Sequence, residues 1–224
     1  MVISKQKISD LAKNKKFNKL IELALKDSSK VIRYLVRLTY TKDDVLRWHA
    51  IDSLGVVSGA IADRDPAEIR ELIRKFLWSM TEESGNVNHH APEAVAEIIY
   101  NRPKLYTDLA PMMITLSIDE EVFQPGMLWA VGRLAGKVPY IIEILNRIIS
   151  FLSDKNPISR GNAAWALGEI VVSEKIETNS LNDIISGLKK LKDDKTVISI
   201  YIDGQLYHKS IAAIADSSII KALK

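Results

Sequence analysis

One pattern of small and apolar residues recurs five times along the chain, and this repeat restricts the fold more than any other feature. When a small residue is set as position zero, the residue two positions earlier is small and the residue one position earlier is apolar. The position-zero residues are, in order, Gly55, Ala96, Gly132, Gly168 and Ala215. Positions −5, −2, −1 and +2 fall on one face of an α-helix, because residues at i, i+3, i+4 and i+7 share a face. Five helices with the same small face, 36 to 47 residues apart, predict a stacked helical array.

Further apolar periodicity lies between these helices and predicts a second set of helices. The predicted partners are roughly Ala67–Met80, Tyr106–Leu116, Tyr140–Leu152 and Leu181–Leu191. Connections of about two to six residues favour antiparallel neighbours. We therefore predict an all-α fold, an α-solenoid in which HEAT-like helical hairpins stack into a right-handed superhelix. We expect a single domain with an N-terminal cap at 1–42, regular repeats at 43–175 and a divergent repeat or cap at 176–224.

Local signals mark several boundaries of these helices. Asp65-Pro66 and Asn156-Pro157 each combine a capping side chain with a proline suited to the first helical turn. Thr196–Tyr201 is rich in β-branched residues and has the composition of a strand. We nevertheless predict helix or turn there, because an all-α array offers no strand with which to pair.

The pattern resembles HEAT-like repeat proteins, in particular the short class related to phycobilin-lyase-type HEAT repeats. Arg160–Ile170, with the sequence RGNAAWALGEI, carries the resemblance best, and Gly126–Leu134 and Arg47–Gly55 are further copies. Leu77–Ile99 resembles a block of an uncharacterised prokaryotic HEAT-like family. The resemblance covers about 43–175 and implies an α-solenoid. It implies a binding role only by analogy, because one fold hosts many functions.

Composition and charge exclude several kinds of chemistry. The chain contains no cysteine, which excludes disulfides, thiolate metal sites and thiol nucleophiles. No run of about 18 apolar residues is present and the lysine-rich start has no apolar signal core, so we expect a cytoplasmic protein without a membrane partner. The net charge of +3 divides into +7 for 1–37, −7 for 38–188 and +3 for 189–224. The acidic middle disfavours a continuous nucleic-acid surface.

A second line of residues, at positions −7, −3 and +1, runs beside the small face, and we call it the charged strip. It includes Trp48, Asp52, His89, Glu93, Glu97, Trp129, Arg133, Trp165 and Glu169. The tryptophans either fill space between repeats, as core aromatics do, or anchor a partner, as interface tryptophans do. The sequence leaves both interpretations open.

We predict a non-enzymatic scaffold that binds a protein or peptide along this strip, without a cofactor or a metal ion. The predicted binding residues are His89, Glu93, Glu97, Trp129, Arg133, Trp165 and Glu169. Aromatic and arginine side chains would anchor the partner, and charged side chains would select it.

The sequence also leaves three different functions open. Trp48 and Asp52, four residues apart, resemble the constellation of HEAT-like alkylpurine DNA glycosylases, in which an aspartate would stabilise a developing cation as the catalytic group. His89, Glu93 and Glu97 have a spacing that suits a metal ion, with Glu83 and His90 nearby. The resemblance to phycobilin-lyase-type repeats implies a chaperone or lyase for a protein-bound chromophore.

Overall fold

The structure is a computed structural model, and it describes residues 2–81 and 87–224. Glu83 and part of the Leu77–Ile99 block therefore lie outside the described residues. The chain divides into two compact units, Met1–Ser117 and Ile118–Lys224. Each unit is described by itself.

The first unit consists of helices in the part of it that the structure describes. Its α-helices are α1 (Lys5–Lys13), α2 (Phe17–Ala24), α3 (Ser28–Leu38), α4 (Asp44–Ala62), α5 (Pro66–Ser79), α6 (Ala91–Asn101), α7 (Pro103–Tyr106) and α8 (Ala110–Ser117), with a 3₁₀ turn at Thr107–Leu109. Helices α4 and α6 carry Gly55 and Ala96 and pack side by side, while α1, α2 and α3 pack on α4. Helix α5 packs on both α4 and α6. The core between these helices is apolar, with Ile51, Leu54 and Ile98 fully buried.

The second unit is also built mainly of helices, and it contains a short β-hairpin. Its elements are α9 (Gln124–Leu134), α10 (Tyr140–Glu143), α11 (Leu145–Ser150), a 3₁₀ turn at Phe151–Ser153, α12 (Pro157–Ser173), α13 (Thr178–Lys189), β1 (Val197–Ile202), β2 (Gln205–Ser210) and α14 (Ile211–Ala222). Helix α12 lies between α9 and α14, and α11 and α13 form a second layer against it. The prediction of an all-α helical repeat fold is confirmed.

The position-zero residues lie on α4, α6, α9, α12 and α14, which we call the small-face helices. At Gly132 a Cβ atom would lie 2.6 Å from Cζ3 of Trp165, and at Gly55 it would lie 2.6 Å from Nδ2 of Asn101. Real Cβ atoms do not approach other atoms so closely. The small residues therefore let neighbouring helices approach more closely than a larger side chain would allow.

The caps predicted at the starts of α5 and α12 are confirmed. Asp65 Oδ1 accepts hydrogen bonds from the amides of Ala67 and Glu68, at 3.0 and 3.1 Å. Asn156 Oδ1 accepts one from the amide of Ile158 at 2.9 Å. The predicted helix Tyr140–Leu152 is interrupted instead, because Ile144 takes φ −101° and ψ 9° between α10 and α11.

The prediction of helix or turn at Thr196–Tyr201 is wrong. Val197–Ile202 is strand β1, and it pairs antiparallel with β2 so that Ile200 lies opposite Tyr207. The turn between the strands is Asp203-Gly204, with φ values of +50° and +78°. Aspartate and glycine tolerate these left-handed conformations, which two-residue hairpins require. Strand β1 therefore pairs with the residues that directly follow it in the chain, and it also packs on α12.

Candidate functional site

The charged strip of the first unit begins on α4. Trp48 and Asp52 lie one helical turn apart there, and both are half-buried. Asp52 Oδ2 lies 3.3 Å from Nζ of Lys15, which precedes α2. The carboxylate that a glycosylase would require is therefore already paired with a cation, and no contact of the described residues favours base excision.

The strip continues at the start of α6, where a network of hydrogen bonds fixes the turn. The helix begins at Ala91, so His89 precedes it and is exposed. Asn88 Oδ1 accepts a hydrogen bond from the His90 amide at 3.1 Å, while its Nδ2 donates to Thr39 Oγ1 at 2.8 Å. The buried Asn88 thus links the turn before α6 to Thr39, the residue after α3, and fixes the backbone of His90 at the start of the helix.

Glu93 and Glu97 lie on α6 and are buried, with 5% and 4% of their surface exposed. Glu93 Oε1 lies 3.0 Å from Nδ1 of His90, at hydrogen-bonding distance. Glu93 Oε2 is buried and has no hydrogen-bond partner among the described residues. Glu97 Oε1 accepts a hydrogen bond from Asn101 Nδ2 at 3.3 Å. Burial of a carboxylate is unfavourable unless its oxygens are bonded, so Glu93 is the member of the pair whose environment is incomplete.

In the second unit the strip holds two tryptophans that are covered. Trp129 and Trp165 are 3% and 8% exposed, and their rings stack with centroids 6.1 Å apart. Trp129 Nε1 donates a hydrogen bond to the Tyr201 carbonyl of β1 at 2.7 Å. The packing interpretation accounts for both rings.

Tyr201 is not among the predicted site residues. The sequence signal for the hairpin that carries it is Asp203-Gly204, a pair typical of two-residue turns.

The charged members of the strip in the second unit remain partly exposed. Glu169 on α12 forms an ion pair with Lys221 on α14, with 2.5 Å between Oε1 and Nζ. Arg133 on α9 is half-buried. In the last copy of the repeat, which is centred on Ala215, position −7 is His208. This residue lies on strand β2 and not on a helix, so the strip does not extend to it.

Two further observations concern metal binding and the membrane. Within residues 2–81 and 87–224, no group of three or more histidine, aspartate or glutamate side chains is placed to hold a metal ion. In the same part of the chain, none of the helices combines the length and the apolar character needed to cross a membrane.

One tryptophan lies outside the strip. It is Trp78 on α5, and it is 68% exposed.

Paired helices that bury small faces define the class as a helical repeat protein of the HEAT and armadillo type. A family model described as HEAT-like repeat matches residues 123–170, from the residue before α9 into α12. The resemblance to HEAT-like repeat proteins that the sequence predicts is confirmed, by the family model over residues 123–170 and by the fold over the described residues.

Three other proteins are similar to this chain in sequence or in fold. An uncharacterized protein of Archaeoglobus fulgidus is 28% identical over 164 residues, which cover 71% of this chain and 81% of that protein. A designed armadillo repeat protein aligns over 97% of this chain and 91% of its own length, with a TM-score of 0.56 and 15% identity. A second designed armadillo repeat protein, solved in complex with the peptide (KR)4, aligns over 97% and 90%, with a TM-score of 0.54 and 17% identity. At these identities the likeness to the solved structures concerns the fold.

Proposed function

We propose that this protein is a non-enzymatic scaffold that binds a protein or peptide carrying basic residues through the charged strip. The observation that carries the proposal is the buried Oε2 of Glu93, which lacks a hydrogen-bond partner among the described residues. An unsatisfied buried group costs about 1–3 kcal/mol, and more when it is charged. Folding alone does not require this carboxylate, since an apolar side chain at the same place would avoid the cost.

A partner's cation would supply the missing hydrogen bond. The side chain of His90 covers one oxygen of Glu93 and is itself 31% exposed. In our proposal rotation of His90 gives the cation access to the carboxylate, and the neighbouring His89 is exposed. A lysine or arginine of the partner would then form a charge-assisted hydrogen bond, which is stronger than a neutral one.

The charge of the chain also supports a basic partner. Residues 38–188 carry a net charge of −7, and opposite charge accelerates association and selects partners. A designed armadillo repeat protein of similar fold has been solved with the peptide (KR)4, so a fold of this kind can present a surface to a basic peptide. In our proposal Glu93, Glu97 and Glu169 attract the partner and Arg133 restricts its register. The buried Trp129 and Trp165 contribute a stacked pair of rings to the part of the strip in the second unit.

The test measures binding of a fluorescein-labelled (Lys-Arg)4 peptide by fluorescence anisotropy. Glu93→Gln keeps the shape of the side chain and removes its charge. The matched control is Glu22→Gln, which makes the same change at an exposed position on α2. We expect Glu93→Gln to weaken binding about tenfold or more, because a hydrogen bond to a charged group contributes about 1.5–3 kcal/mol. Equal affinity of wild type and Glu93→Gln would contradict the proposal.

A second experiment separates a protein partner from nucleic acid. Wild type and a folded Glu93→Ala/Arg133→Ala variant are used for affinity capture from native lysate, with and without nuclease. We expect a protein that resists nuclease and is lost with the variant. Recovery of nuclease-sensitive material alone would reject the scaffold and favour assays for base excision at Asp52 and Trp48.

A further inference from the structure

A second surface lies in the first unit, in a groove between α3 and α5 whose lining includes no residue of α4 or α6. The groove has a volume of about 480 Å³, which is within the range of about 300–1,000 Å³ typical of ligand pockets. Its floor is apolar and is formed by Ile32, Val36, Leu72 and Phe76. Tyr40 lies at the end of α3 and is 52% exposed. The floor is therefore suited to apolar side chains.

The rim of this groove is basic. Arg33 and Arg37 project from α3 and Lys75 from α5, and all three are exposed, while Glu68 is the acidic side chain in the lining. None of the three cations forms an ion pair with a described residue, and the guanidinium of Arg33 lies 5.4 Å from the ring centroid of Tyr34.

Other arginines of the same unit are neutralised. Arg70 pairs with Asp108 and Arg102 pairs with Asp63, in both cases at 2.6 Å. Arg33, Arg37 and Lys75 differ from these arginines in having no described carboxylate as a partner, so an acidic group could meet their charge at the groove.

We propose that this groove binds an acidic amphipathic segment of a partner protein. A helix laid in a groove places side chains at i, i+3, i+4 and i+7 on the floor, where Val36 and Leu72 would contact them. Carboxylates on the flanks of that helix would reach Arg33, Arg37 and Lys75. The apolar floor favours a peptide over a nucleic acid, because phosphates gain nothing from contact with aliphatic side chains.

This inference is independent of the charged strip, which attracts the opposite charge. The strip and the groove use different side chains on different helices. A protein with both surfaces would bring a basic and an acidic segment onto one scaffold.

The test uses a fluorescein-labelled peptide with leucine at i, i+3, i+4 and i+7 and glutamate elsewhere, measured by fluorescence anisotropy. The variant is Arg33→Glu/Arg37→Glu, which reverses the charge of the rim at two exposed positions. The matched control is Lys192→Glu/Lys195→Glu, which makes the same change of charge at exposed positions of the second unit. We expect the rim variant to weaken binding at least tenfold, and the control to change it less than twofold. Circular dichroism and thermal melting establish that both variants remain folded.

Further binding measurements identify which features of the peptide the groove recognises. Replacing the leucines of the peptide by serine, or its glutamates by lysine, should abolish binding. The Glu93→Gln variant should bind the acidic peptide as wild type does, which separates this groove from the strip. Undiminished affinity of the rim variant, loss of binding in Glu93→Gln, or equal binding of a single-stranded oligonucleotide would overturn the proposal.

Discussion

Three of the four tryptophans of the chain illustrate how position determines the role of a single residue. Trp129 and Trp165 are buried and stacked in the second unit. Trp78 projects from α5 and is 68% exposed. A buried aromatic ring removes a large apolar area from water, whereas an exposed ring contributes little to stability.

The first prediction compares these two environments. Trp165→Ala should lower the free energy of unfolding by about 3–5 kcal/mol, because it leaves a cavity beside Trp129 and Gly132. Trp78→Ala should change it by less than about 0.5 kcal/mol. Urea denaturation followed by far-ultraviolet circular dichroism measures both values. Similar values for the two variants would mean that Trp165 does not have the buried position described above.

Arg160 is another residue whose role depends on its surroundings. It lies in the first turn of α12, where its guanidinium donates to the carbonyl of Asp154 at 2.8 Å and to Asp194 Oδ2 at 3.0 and 2.8 Å. Asp194 precedes β1. Burial raises the pKa of Asp194, but hydrogen bonds from Thr196 and Arg160 outweigh it and lower the pKa overall. The arginine that opens the HEAT-like motif thus holds the segment that leads into the hairpin.

Among the elements, the β-hairpin is the least typical of the fold. It supplies the Tyr201 carbonyl to Trp129, and a Cβ atom on Gly161 of α12 would collide with Ile198 of β1. The hairpin therefore covers part of the strip in the second unit. Its geometry depends on the two residues of its turn, which both have positive φ.

The second prediction concerns this turn. Gly204→Ala should destabilise the protein by about 1–2 kcal/mol, because the φ of +78° is unfavourable for a residue with a Cβ atom. Asp203→Asn is the matched control and should have little effect, because asparagine also adopts positive φ readily. Chemical denaturation gives the free energies, and tryptophan fluorescence reports the environment of Trp129. A Gly204→Ala variant as stable as Asp203→Asn would contradict the turn geometry.

At the scale of the whole molecule, ion pairs make stability depend on pH. Arg70 donates two hydrogen bonds to Asp108, at 2.6 and 3.2 Å, and Arg102 donates two to Asp63, at 2.8 and 2.6 Å. The hydrogen bond from Arg70 lowers the pKa of Asp108, and the one from Arg102 lowers the pKa of Asp63. In the unfolded chain these carboxyl groups have a pKa of about 3.9. The stability they contribute is therefore present above pH 4 and is lost as pH falls through the lowered folded-state pKa.

The third prediction follows from this linkage. Asp108→Asn should lower the free energy of unfolding at pH 7 by no more than about 1 kcal/mol, because solvent screens an exposed pair. The difference from wild type should shrink as pH falls below about 4, because Asp108 is protonated first in the unfolded chain and only below its lowered pKa in the folded protein. Urea denaturation at stepped pH values measures it, with Asp193→Asn as the control at an exposed carboxylate. A difference that stays constant down to pH 3 would exclude the pair as its source.

Features that depend on residues a few positions apart could be predicted from the amino-acid sequence. The small face of the helices, the caps at Asp65 and Asn156 and the HEAT-like motif at Arg160–Ile170 are local patterns, because helix periodicity and capping involve neighbouring residues. The hairpin was also encoded locally, since Asp203-Gly204 lies between its strands. The prediction of helix or turn rests on the expectation that an all-α array has no partner for a strand, and this expectation overlooks a partner within the same hairpin.

The accessibility of the strip residues and the formation of the groove depend on how distant elements pack, and they could not be predicted from the sequence. Trp129 donates its hydrogen bond to Tyr201, which lies 72 residues away along the chain. Glu93 is buried by the packing of α4, α5 and α8 around α6, and this packing leaves its Oε2 without a hydrogen-bond partner among the described residues. The groove joins Val36 of α3 to Leu72 of α5. Such contacts arise from the packing of distant elements, and helical periodicity identifies the buried face of each helix without specifying which neighbour covers it.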